Sequence, residues 1–267
     1  MKSISRMLIV SVIMSLSVSA ANVFAADSLN VYSARKEALI KPILDDFTKE
    51  TGIKVKLITG KADALLKRIA KEGRNTPADI LITTDAGRLH RAKEAKVTAT
   101  FSSPLLEKNI PAHYRDSDKQ WVGLSLRARP IMYVKGRIDP KELSTYEALT
   151  DSKWKKRICI RSSNNIYNQS LVASLIKHNG EKATQQWAKG LVSNLARKPQ
   201  GGDRDQIKAA VAGQCDIAVA NTYYLAGMLN ADAKSQAIAQ HIAVFWTNQF
   251  GRGANVNVSG AAVIKHS

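Results

Sequence analysis

Tyr223 and Tyr224 stand side by side in "VANTYYLAGML", within a chain of 267 residues that has only seven tyrosines. The apolar run "CDIAVAN" leads into the pair as a buried strand, and Asn221 and Thr222 are good helix caps. Both phenols therefore fall in the first turn of a helix at the carboxyl end of a strand, where open α/β sheets form their ligand crevices. Adjacent helical side chains point about 100° apart, so two long phenols converge only on a point beyond the helix N-terminus. Phenol is a poor donor to weakly polarising ions at neutral pH, because its pKa lies near 10. A trivalent cation drives its ionisation and accepts phenolate as a hard oxygen ligand, and ferric ion is the common biological cation of that kind.

Two such ligands are too few for one ion. A third candidate is Tyr167 in "RSSNNIYNQS", which follows the strand-like "RICIR" and precedes a helix expected over residues 168–178, so it holds the equivalent place on a neighbouring strand. Three phenolates cancel the charge of one ferric ion, and a small anion completes the shell. Free backbone N–H groups at helix N-termini, with Arg35 and Arg127 near strand ends, favour that anion. A tyrosine pair also serves as half-buried packing with its hydroxyls on water or a carbonyl. Arg127 and Arg129 equally suit surface or lobe-bridging ion pairs, and spacing leaves these readings open. Enzyme chemistry has less support: the chain contains no G-x-S-x-G, P-loop, H-E-x-x-H or paired-cysteine motif. Its five histidines (His90, His113, His178, His241 and His266) stand alone, and the chain is read as a non-enzyme.

The elements that must position these residues alternate along the chain. "SLNVYSA", "IKVKLITG" and "ADILITTD" read as strands, and "EALIKPILDDFTKETG", "ADALLKRIAKEG" and "AGRLHRAKEAK" as helices. That order implies a mostly parallel sheet with helices on both faces. "FSSPLLEKNIPAHYRDSDKQWVG" is loop-rich, and "LSLRARPIMYVKG" is strand-like. The α/β pattern then restarts, with a helix over 182–192 and the "DQIKAAVAGQCDIAVANTYYLAGML" segment. "ANVNVSGAAVIKHS" reads as a strand returning to the first of two lobes, with strands passing between them.

Residues 1–25 read as a cleaved secretory leader: Lys2 and Arg6, an apolar run from Met7 to Val18, and small residues around Val23–Ala25. The net charge of +18 favours anionic partners. Export and the lack of aromatic interleaving among the basic helical stretches argue against nucleic acid. Cys159 and Cys215 belong to a compartment where thiols are oxidised. With histidine far from both they make a poor zinc site, so a structural disulfide is expected.

"NVYSARKEALIKP", "GRNTPADILITTDAGRLHRAKEA", "RSSNNIYNQSLVASLI", "PQGGDRDQIKAAVAGQCDIAVANTYYL" and "GRGANVNVSGAAVIKH" closely resemble the periplasmic ferric-iron-binding proteins of bacterial ABC transporters, over nearly all of the chain after the leader. The resemblance implies an α/β fold of two hinged lobes with mixed sheets, the type II solute-binding architecture. The N-terminal lobe is expected over 26–127 and 252–267, and the C-terminal lobe over 128–251. Implied too are Fe(III) as ligand, a periplasmic location, a monomeric state and delivery to an ABC transporter permease in the inner membrane. Tyr167, Tyr223 and Tyr224 match the family's ligand tyrosines, and Arg127 matches a position associated with the synergistic anion. Some members carry a His or Tyr in a "YS-x-R-H-Y" pattern where this chain has Lys36 and Glu37, so it resembles the subgroup with three tyrosines plus carbonate. Arg35 remains an anion-binding candidate, and Tyr32 a candidate to support the ligands from behind, against packing at the cleft wall. That subgroup also has cysteines in "RICIRSS" and "GQCD", which supports the bridge. Its members continue past "VSGAAVIKH" with further helices, so a C-terminally truncated chain with exposed apolar surface is expected. An alternative keeps the fold and changes the ligand: an anion receptor for phosphate, sulfate or a small organic acid, using Arg35, Arg127 and the helix N-termini.

Overall fold

Apolar residues recurring at a period of two, then of 3.6, dictate the order of elements. The computed structural model describes residues 28–266, so the expected leader lies outside the described residues. The first part comprises β1 (Leu29–Ser33), α1 (Glu37–Thr51), β2 (Val55–Thr59), α2 (Ala62–Glu72), β3 (Ile80–Thr84), α3 (Ala86–Glu94), α4 (Pro104–Asn109) and β4 (Val122–Ala128). The second contains β5 (Ile131–Val134), β6 (Ile158–Cys159), α5 (Ile166–Asn179), α6 (Glu181–Ser193), α7 (Asp203–Val211), β7 (Ile217–Val219), α8 (Thr222–Leu229), α9 (Ala233–Ala239) and β8 (Ile242–Phe245). The last strand is β9 (Val256–Val263). α1 stops at Gly52, whose φ of 75° closes the helix in the left-handed region that glycine enters without penalty.

Two sheets form, each the centre of a lobe, with orders β2-β1-β3-β9-β4 and β6-β7-β5-β8. β1 pairs in parallel with β2 and β3, whereas β9 inserts antiparallel between β3 and β4. In the second sheet β6 and β7 are parallel, while β5 runs antiparallel to β7 and β8. The mostly parallel sheet read from the order of elements is therefore corrected, and the mixed sheets that the resemblance implies are found. Strands that cross between lobes enter the receiving sheet against the βαβ direction, and hydrophobic alternation carries no strand polarity.

"LSLRARPIMYVKG" is two strands, not one. β4 ends at Ala128 and β5 starts at Ile131 in the other sheet; Pro130 lacks the N–H a continuous ladder needs. The return crossing is tied to this one: Arg129 N–H donates to Asn255 O at 3.0 Å. The Tyr146 hydroxyl donates to Arg129 O at 2.7 Å and accepts from Asn255 N–H at 2.9 Å, so one buried phenol clamps both crossings. Burial is the main reason that phenol is pushed up to about 12.

The period-two alternation divides the second sheet's core. Ile131 faces Tyr146, Trp154, Leu171, Leu175 and Trp187, while its neighbour Met132 faces Ile207, Ala218, Leu225 and Met228. In the first lobe Tyr32 and Leu81 pack on Leu65 and Ile69 of α2, and Val31 and Ile82 on Ile40 of α1. Leu124 and Leu126 on β4, and Leu39 and Ile43 on α1, stay exposed. Cys159 and Cys215 are disulfide-bonded, with Cα atoms 5.9 Å apart across a sequence separation of 56.

Two helices differ from expectation. α4 lies in the stretch read as loop, capped by the Ser103 side chain with Pro104 in its first turn. α5 starts at Ile166, so Tyr167 stands inside the helix rather than ahead of it.

Candidate metal centre

Tyr167 enters α5 behind Asn165, whose side chain accepts from Tyr167 N–H at 3.0 Å. β7 delivers the chain to Asn221, the residue before α8, and Tyr223 and Tyr224 follow in its first turn. Both helices thus begin beyond the carboxyl ends of the paired strands β6 and β7, so their first turns face one crevice. The Tyr223 and Tyr224 rings lie 4.3 Å apart. Tyr167 acts electrostatically on both Tyr223 and Tyr224, so the three phenols share the crevice, and Asn221 Nδ2 lies 3.5 Å from the Tyr223 hydroxyl.

Loss of water raises the pKa of Tyr223, and Tyr167 raises it further. Burial also raises Tyr224, with Tyr167 and Asp203 adding and Arg161 opposing. Neutral phenols are therefore the resting state of these two groups, and only a strongly charged ligand would ionise them. Among the described residues no group of three or more His, Cys, Asp or Glu side chains could hold a metal ion.

Guanidinium groups ring the cluster. Arg127 and Arg161 lie over the Tyr167 ring at 5.4 and 5.5 Å, and Arg204 over the Tyr224 ring at 5.2 Å. Arg127 donates to Asp85 Oδ2 at 3.0 Å and to Ser259 Oγ at 3.0 Å. Arg35 donates to the same Ser259 Oγ at 3.1 Å, so the two arginines read from sequence as anion-binding converge. Arg127 and Tyr167 also line a cavity of about 10 Å³, together with Asp85, Arg129, Asn221, Asn255 and Asn257.

Tyr32 is not brought to this cluster. It is fully buried among Leu65, Ile69 and Leu81, its hydroxyl lies 3.4 Å from both Glu72 carboxylate oxygens, and Arg68 stacks on its ring at 5.0 Å. The packing alternative describes it. Asn221 does not cap α8 with its side chain, because that amide oxygen accepts from Arg129 instead.

The family model for bacterial extracellular solute-binding proteins matches residues 75–266. The chain belongs to that family. This solute-binding protein is 52% identical over 238 residues to iron uptake protein A1 of Synechocystis, an alignment covering 89% of this chain and 66% of the relative. Among solved structures it is similar to Trichodesmium FutA in complex with iron and citrate, with a TM-score of 0.88 and 51% identity, covering 90% of this chain and 76% of that one. It is also similar to the ferric binding protein of Campylobacter jejuni, with a TM-score of 0.84 and 41% identity over 90% and 76% of the two chains. The solute-binding protein spans 66% of the length of the Synechocystis relative.

Several residues at the site escaped sequence reading. Asp85, 1% exposed, holds Arg127 and caps α3 from a backbone φ of 87°. A non-glycine residue held in that region is strained and marks a site worth a function. Asp203, Asn168, Arg161 and Arg204 carry no motif of their own; the one signal was that "RSSNNIYNQS" and "GGDRDQI" pack polar residues densely just before helices.

Proposed function

We propose that this protein is the periplasmic ferric-ion receptor of an ABC-type uptake system, taking Fe(III) as cargo through Tyr167, Tyr223 and Tyr224 and handing it to an inner-membrane permease. The observation that carries this reading is the placement of three phenols in the first turns of two helices that open on one crevice, with Arg127, Arg161 and Arg204 over their rings. The bound ion displaces three protons, and the phenolates neutralise it. The similarity to an iron uptake protein and to a ferric binding protein supports the same cargo.

A small synergistic anion, carbonate, completes the coordination beside Arg127 and Arg35, which already share Ser259 as a hydrogen-bond acceptor. The Trichodesmium structure holds citrate with its iron, which makes citrate the competing choice. The lobes are assigned to 26–127 with 252–267 and to 128–251, hinged where Tyr146 clamps the two crossings. The chain is exported behind a leader over residues 1–25, works as a monomer and performs no chemistry on its cargo beyond binding.

The guanidinium ring also favours a second reading, an anion receptor for phosphate, sulfate or a small organic acid. Equilibrium dialysis separates the two. The chain without its leader is dialysed against ferric citrate, and separately against phosphate and sulfate, and bound iron and anion are assayed. Retention of a single iron per chain is expected; retention of phosphate or sulfate without iron would replace the ferric reading with the anion receptor.

A further inference from the structure

On sequence alone Arg129 reads as a surface or lobe-bridging ion pair. The structure buries it at 2% exposure against Asp203 at 0%. Its backbone lies in the crossing between lobes, held by Asn255 and Tyr146. Its side chain runs beneath both tyrosine helices. One terminal nitrogen donates to Asp203 Oδ2 at 2.8 Å and to Asn221 Oδ1 at 3.0 Å. The other donates to Asn168 Oδ1 at 2.7 Å and to Val219 O at 3.0 Å.

These partners are not scattered. Asn168 directly follows Tyr167, and its amide also donates to Arg161 O at 2.7 Å, closing the loop in front of α5. Asn221 stands two positions before Tyr223, and its backbone N–H donates to Asp203 Oδ2 at 3.0 Å. Val219 ends β7. A single planar fork thus spans the entry to α5, the entry to α8 and the start of α7. Lysine, a point donor on a flexible stem, cannot reproduce a fork of that width.

We propose that Arg129 is a positioning residue that couples the hinge to the tyrosine cluster, fixing the first turns of α5 and α8 against each other and against the crossing strand. Displacement of the crossing at Arg129 is then transmitted to Tyr167 and to the Tyr223–Tyr224 pair together. The consequence for iron rests on the ferric reading above, whereas the mechanical coupling does not.

The test uses hydrogen exchange on the metal-free full chain, followed by iron binding. In Arg129→Lys, segments 166–172 and 221–227 are expected to exchange about tenfold faster, with α1 and α2 unchanged. Asn168→Ala should loosen only the first segment and Asn221→Ala only the second; these two variants carry the test if Arg129→Lys does not fold. With ferric citrate, Arg129→Lys should shift the visible band and weaken binding about tenfold. Wild-type exchange in both segments, or a uniform rise over the whole chain, overturns the coupling. A wild-type protein with no iron band would refute the ferric reading while the exchange pattern still decides the role of Arg129.

Discussion

Ser170 on α5 donates its hydroxyl to the Asp85 carboxylate at the head of α3, so one hydrogen bond joins an element packed on the second sheet to the end of a strand in the first. Nearby, Arg91 reaches Gln169 at 2.8 Å, and a Cβ on Gly87 would lie 3.1 Å from Ile166 Cδ1. The lobes touch through α3 and α5, beside the tyrosine cluster.

Removing that contact should favour the open form. In Ser170→Ala, Asp85 keeps Arg127 and Gly87 N–H as partners, so no buried charge is orphaned. A hydrogen bond to a charged group contributes about 1.5–3 kcal/mol, enough to weaken cargo binding roughly tenfold if it forms only on closure. Small-angle scattering of the metal-free chain should show a larger radius of gyration than wild type. An unchanged radius and unchanged affinity would show that the contact does not hold the cleft shut.

The return of β9 depends on Gly260. A Cβ there would collide with the Val122 carbonyl oxygen across the ladder and with Leu89 Cδ1 at 2.8 Å. Backbone cannot yield as a side-chain tip can, so Gly260→Ala should destabilise the chain by about 1–3 kcal/mol. Gly251→Ala, with only Asn248 O at 3.8 Å, is the neutral control in urea denaturation. Equal midpoints for the two variants would contradict this packing account.

Cys159 ends β6 and Cys215 leads into β7, and each stands the same distance in sequence ahead of a tyrosine, Tyr167 and Tyr223 respectively. The disulfide therefore ties together the two strands that aim the phenols. By the chain-entropy model its loss costs roughly 4 kcal/mol. The Cys159→Ala, Cys215→Ala double variant should melt well below wild type, and reductant should lower wild type alone. A double variant that melts with wild type would remove the bridge from the stability account.

Acid should weaken the hinge region through Glu147. Partial burial pulls its pKa up, but hydrogen bonds from Asn248, Arg252 and Asn179 outweigh that and hold it at about 2. A carboxylate depressed in the folded state contributes stability above its unfolded pKa, near 4.5, and that contribution is lost as pH falls toward 2. Denaturation midpoints measured across this window should fall more steeply for wild type than for Glu147→Gln. Parallel slopes would show that the bonds from Arg252 and Asn248 do not favour the ionised form.

The strand-end placement of Tyr167, Tyr223 and Tyr224, and of Arg35 and Arg127, was legible because strand-then-helix patterning puts side chains where α/β sheets form crevices. Strand direction was not legible: Ile80 to Thr84 alternates in the same way whether its neighbour is the parallel β1 or the antiparallel β9. Pro104 behind Ser103 was a readable helix start inside a stretch taken as loop. Pro130 was a readable break between two strands in a stretch described only as strand-like. Arg129 and Asp203 were not readable in principle, because charged residues are seldom fully buried and only tertiary contacts decide when they are.

The central claim is that Tyr167, Tyr223 and Tyr224 bind ferric ion together. Its most direct measurement is a visible-absorbance titration of the chain with ferric citrate at neutral pH, beside Tyr167→Phe and Tyr223→Phe. The account predicts a tyrosinate-to-iron charge-transfer band that saturates near one iron per chain and shifts or weakens in both variants. A folded wild-type chain that shows no band, or a band indifferent to both substitutions, would contradict it.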